Sequence, residues 1–132
     1  MKSIFKDKFS EILFDSEKSL LEHIVFSETE NMNEESFKIM LKEYLKATLD
    51  TQAKYSLVDV QNFLFVVSPE LQAWTVELLQ SVPSAVKKMA YLMPNAFVES
   101  IAIEQLGEDH NAAKLLTRYF KDKNQAMAWL LK

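Results

Sequence analysis

Residues 55–60 read Tyr55-Ser56-Leu57-Val58-Asp59-Val60, a short run rich in β-formers and apolar everywhere except Ser56 and Asp59. A run this short and this apolar reads as a central strand buried on both faces, since a strand with one wet face would alternate. Its flanks decide the class. Upstream, Asn33 can cap a helix, Glu34 and Glu35 suit the positive end of its dipole, and Phe37, Met40, Leu41, Tyr44, Leu45 and Thr48 recur at helical spacing. A helix over about 34–49 follows. Downstream, Gln61 to Val67 is a connection, and Ser68-Pro69 supplies a favoured N-cap and first helical residue. Leu71, Trp74, Leu78 and Leu79 make the stripe of a second helix. A strand between two helices is the unit of a parallel sheet.

The pattern continues to the end of the chain. Val86 to Met93 is a further strand, and Pro94 opens a helix with Phe97, Ile101 and Gln105 on one face, closed by Gly107 as a left-handed cap. After the polar Glu108-Asp109-His110-Asn111 comes a strand near Leu115 to Phe120. The last helix has Asp122 as N-cap, Gln125 three residues later as in a capping box, and Ala126, Trp129 and Leu130 on its buried face. In the first thirty residues, Ile12 and Phe14, then Leu20, Glu22, Ile24 and Phe26 after Asp15-Ser16-Glu17, alternate as in a β-hairpin. The expected architecture is a single α/β domain over residues 1–132, in the order ββαβαβαβα. Its sheet is mixed but mostly parallel, with about four helices and right-handed crossovers.

Composition removes whole classes of chemistry. The chain has no cysteine, which excludes disulfides, thiolate metal sites, thiol nucleophiles and iron–sulfur clusters. Gly107 is its one glycine, so neither a P-loop nor a dinucleotide-binding glycine motif can be written. With a net charge of −4 and nothing more basic than pairs such as Lys87-Lys88, it lacks the clustered positive charge that nucleic acid requires. No stretch has the apolar length of a membrane span, and Lys6, Asp7 and Lys8 interrupt the place of a secretory segment. A cytoplasmic location is expected, with no cofactor and no metal.

Several segments together resemble the SpoIIAA-like family, relatives of the STAS domains and of the lipid-binding CRAL-TRIO (Sec14-like) fold. They are Leu57-Val58-Asp59 closing a strand, Ser68-Pro69-Glu70-Leu71-Gln72-Ala73-Trp74 opening a helix, Lys87-Lys88-Met89-Ala90 entering a strand, and Tyr119-Phe120 followed by Ala126-Met127-Ala128-Trp129-Leu130. Ser100-Ile101-Ala102-Ile103-Glu104-Gln105 is similar to a segment of bacterial members. The resemblance implies a STAS-like fold and a regulatory or protein-interaction role. STAS members that act as anti-anti-sigma factors carry a phosphorylated serine in an Asp-Ser-Ser-Gly-like turn after a central strand. This chain reads Val60-Gln61-Asn62-Phe63 there, with neither the serine pair nor the glycine.

The candidate ligand- or partner-binding residues are Asp59, Phe63, Phe65, Ser68 and Trp74. Asp59 ends a parallel strand, the edge where open α/β sheets bind ligands, although a carboxylate there also serves to hold loop amides. Ser68 could receive a phosphoryl group at a helix N-terminus, and its plainer reading is an N-cap. Phe63 to Val67 is five apolar residues in a connection: an interface if exposed, a packed strap if buried. Phe63, Phe65, Trp74, Tyr91, Met89 and Met93 could line an apolar cavity or pack as ordinary core. His23 shares a face with Leu21 and Val25 and is expected partly buried, while His110 belongs to a solvated turn. No Gly-x-Ser-x-Gly elbow exists to present a nucleophile, so no catalytic residue is assigned and no enzyme is expected. The expected function is a noncatalytic module that binds a protein partner or itself; the alternative is a binder or sensor of a small apolar or amphipathic ligand.

Overall fold

The computed structural model describes residues 1–81, 85–94 and 116–132. The helix expected from Pro94 to Gly107, the Ser100–Gln105 segment and the Glu108–Asn111 turn with His110 lie outside the described residues. Among the described residues, six strands form one mixed sheet in which each lies beside its neighbours in sequence. They are β1 (Lys2–Lys6), β2 (Ser10–Asp15), β3 (Leu20–Val25), β4 (Tyr55–Asp59), β5 (Lys88–Leu92) and β6 (Leu116–Phe120). The first three pair antiparallel and the last four pair parallel. Helix α1 (Glu34–Thr51) joins β3 to β4, α2 (Pro69–Ser81) follows β4, and α3 (Lys123–Leu130) follows β6.

The expected hairpin exists as β2 and β3, but β1 precedes it, so the opening is a three-stranded meander and the order expected from sequence is corrected there. Only Phe5 of β1 is even partly buried, and a register shift falls between Ser3 and Phe5. An edge strand with four wet positions leaves no alternation to read. The acidic loop before α1 also contains a 3₁₀ turn, Ser27–Asn31, seated on the fully buried Thr29.

The helix boundaries follow from their caps. Asn33 accepts the Ser36 N–H at 2.8 Å. The Ser68 hydroxyl accepts the Leu71 N–H at 3.1 Å, leaving Pro69 as the first helical residue. Asp122 accepts the Asn124 N–H at 3.2 Å. With its one glycine elsewhere, the chain closes α1 through Gln52 in the left-handed region, φ 53°, whose N–H donates to the Thr48 carbonyl.

The two sheet faces bury different partners. Ile12, Leu21 and Val58 meet Tyr44, Leu45 and Ala47 of α1 and the half-buried Leu78 of α2. On the other face Leu20, Leu57, Ala90 and Leu92 meet Ala126 and Leu130 of α3. A third cluster at the end of the sheet gathers Phe9, Val25, Met32, Phe37, Met40 and Leu71 under residues 63–67. β3 and β4 are central, and the run read as a strand buried on both faces has Ser56, Leu57 and Val58 buried, with Tyr55 and Asp59 half-buried. Each fully buried leucine contributes roughly 2 kcal/mol of transfer free energy.

Candidate functional site

At the carboxyl edge of the parallel strands the chain leaves β4 through a turn. Asp59 accepts the Gln61 N–H on its own side chain at 3.1 Å, and Phe63 N–H donates to the Val60 carbonyl at 3.2 Å. Residues 63–67 then alternate: Phe63, Phe65 and Val67 are half-buried, while Leu64 is 50 % and Val66 86 % exposed. Period-two burial means an extended backbone. The inward rings pack on Phe37, with centroids at 6.1 Å from Phe63 and 5.6 Å from Phe65, and on each other edge-to-face at 6.4 Å. Thr29 pins one edge of this strap by accepting the Leu64 N–H at 2.9 Å. Trp74 of α2 packs against the same cluster, with the Lys38 ammonium 5.0 Å from its ring centroid.

Phe63, Phe65 and Trp74 are therefore brought together, as ring packing beneath a strap whose outer side is apolar and wet. Asp59 and Ser68 flank it in local turn and cap roles. The open question between interface and packed strap has a divided answer, because alternate residues do each.

A second assembly lies beneath α1. Ser10, His23, Ser56 and Tyr44 are buried there, and the Tyr44 and Ser56 hydroxyls are 2.6 Å apart. His23 stacks on Tyr44 with centroids 5.2 Å apart and planes 15° from parallel. Desolvation lowers the His23 pKa to about 4 against a smaller opposing pull from Asp7, so the ring is neutral at pH 7. Burial likewise pushes the Tyr44 hydroxyl up to about 12, with the Ser56 hydrogen bond opposing. Tyr91, stacked on Tyr119 at 5.4 Å, is raised by burial and then by Tyr44 and Tyr119. Ser10 Oγ and His23 Nε2 have no hydrogen-bond partner. Serine, histidine and the nearby Asp7 are the residue types of an acyl-transfer triad. Here the Asp7 carboxylate instead accepts the Phe9 and Ser10 N–H groups, and no hydrogen bond joins Ser10 to His23.

On the opposite face, Glu22 is buried and pairs with Lys123 at 2.9 Å, beside the N-terminus of α3. The Trp129 ring has the Lys88 ammonium 5.3 Å and the Arg118 guanidinium 5.6 Å from its centroid, and the Lys88 ammonium also donates to the Trp129 carbonyl. At the amino edge of the strands an open cavity of about 740 Å³ is lined by Gln52, Lys54, Val86, Lys87 and Leu116 among others. Among the described residues, no three His, Asp or Glu side chains are placed to hold a metal, and no helix is long and apolar enough to cross a membrane.

Comparison with protein-family models, with curated proteins and with solved structures finds no match to this chain. Sequence reasoning missed Thr29, the strap's anchor, which sits in an acidic stretch with nothing to mark it as buried. It also missed the polar assembly under α1, whose members come from four separate elements.

Proposed function

We propose that this chain is a noncatalytic protein-interaction domain of the STAS-like kind, whose contact surface is the strap over residues 63–67. One observation carries the reading: Leu64 and Val66 stand exposed on a backbone that Phe63, Phe65 and Val67 hold against the core. An apolar surface on a rigid mount has already met most of the ordering cost of association. The opening strands followed by β–α repeats support the STAS-like part of the reading, as do the Ser68-Pro69 cap and the α3 face made by Ala126 and Leu130. The experiment is native mass spectrometry of the protein purified from its own host, beside the Leu64→Asp/Val66→Asp variant. An assembly present for the native chain and lost in a variant of unchanged circular dichroism is expected. A native chain that carries no partner and no second copy overturns the reading.

The cavity at the amino edge favours a second reading, a binder of a small amphipathic ligand, since Val86 and Leu116 line it beside Lys54 and Lys87. Solvent extraction of the purified protein that recovers no stoichiometric apolar molecule overturns that one.

A further inference from the structure

The strap has the features of an unguarded sheet edge. Natural edges are blunted with charge, proline or cover. Residues 61–68 read Gln61-Asn62-Phe63-Leu64-Phe65-Val66-Val67-Ser68, without a charge or a proline, in a chain that is 26 % charged. In an extended segment the N–H and C=O of successive residues point to opposite edges. Leu64 N–H faces Thr29, so Phe63, Phe65 and Val67 present their backbone groups at the other edge. Phe63 N–H is taken by Val60, and among the described residues no hydrogen bond reaches the N–H of Phe65 or Val67.

We propose that this edge pairs antiparallel with the same edge of a second copy of the chain, about a two-fold axis at Phe65. This rests on the interaction-domain reading above and adds its partner and geometry. Because only residues 63, 65 and 67 offer groups to that edge, they must oppose one another, and among the registers this allows the one centred on Phe65 sets the exposed Leu64 against the exposed Val66. Phe65 exchanges both bonds with its symmetry mate, and each Val67 N–H donates to the Phe63 carbonyl of the other copy. The side chains agree with it. Leu64 falls opposite Val66 of the other copy, so the two exposed apolar residues cover each other, and Asn62 falls opposite Ser68. Without a charge anywhere in residues 61–68, a chain of net charge −4 can oppose this strand to itself without like-charge contact. A dimer held by this one short strap alone is expected to fall below the roughly 1,200 Å² of a standard interface and so to be weak and reversible.

The test uses the absence of native cysteine. Leu64→Cys and Val66→Cys variants are purified separately, then oxidised alone and as an equal mixture. Directly opposed, non-hydrogen-bonded positions have Cβ atoms about 4.5–5.5 Å apart, the closest approach between paired strands. The mixture is expected to give a severalfold higher yield of crosslinked dimer than either variant alone. Sedimentation of the native chain is expected to show a concentration-dependent dimer that Leu64→Lys/Val66→Lys abolishes. A chain that stays monomeric at every concentration, or a dimer indifferent to that double variant, overturns the self-pairing. In either case a different partner, lost with Leu64→Asp/Val66→Asp in the host-purified material, leaves the interaction-domain reading standing, so the two can fail separately.

Discussion

The two faces of the sheet solve one problem with different chemistry. Against α3 the sheet offers Leu20, Leu57, Ala90 and Leu92, with its charged groups each matched to a partner on that helix: Glu22 to Lys123, and Lys88 and Arg118 to the Trp129 ring. Against α1 it offers Ile12, Leu21 and Val58 interleaved with Ser10, His23 and Ser56. The first face gains its stability chiefly from buried aliphatic volume. The second holds polar groups that must be satisfied or kept neutral, so its stability depends on hydrogen bonds and on pH.

The sharpest way to expose the first behaviour is Leu57→Ala. Leu57 is fully buried, and the cavity left behind is expected to cost about 3–4 kcal/mol, read as a lower midpoint in urea at unchanged slope. A smaller loss would mean that α3 closes over the gap.

The second behaviour shows in acid. The folded pKa of His23, about 4, lies below its unfolded value of 6.5, so the unfolded chain binds the proton more readily. Its neutral packing therefore contributes fully above pH 6.5, and that contribution falls away as pH drops toward 4, by about 3 kcal/mol in all. His23→Phe keeps a ring against Tyr44 and removes the titration. The difference in unfolding free energy between native and variant chains should thus vary across this window and be flat above it. A difference constant from pH 8 to 4 would show that His23 is not held neutral.

The smallest effects separate satisfied from unsatisfied groups on that same face. Tyr44→Phe leaves the buried Ser56 hydroxyl without its 2.6 Å partner and is expected to cost about 1–2 kcal/mol. Ser10→Ala removes a hydroxyl that has no partner and is expected to be neutral or slightly stabilising by thermal denaturation. Equal losses in the two variants would erase the distinction.

What could be read from the residues divides along similar lines. α1 was legible because Asn33 caps it and its apolar stripe repeats, and β4 because it is buried on both faces. β1 was not, since its exposed positions carry no periodicity. The strap was visible as an apolar anomaly, and Phe63, Phe65 and Trp74 do meet. Which residues turn outward depends on Thr29, which reaches it from another part of the chain. Ser10, His23, Tyr44 and Ser56 become neighbours only through strand register, which no local pattern encodes.

The order of the strands also governs how the chain meets the entropy of its own assembly. Because each strand lies beside the one before it, the sheet can be extended from one growing edge, each step joining strands adjacent in sequence. The docking of α3 is the exception. Its residues return across β5 to β4, and Lys123 reaches back to Glu22 on β3, joining some of the most widely separated positions in the chain. That face can be sealed only once the strands beneath it are in register, so its closure carries a larger loop-closure entropy than the pairing of any two neighbouring strands.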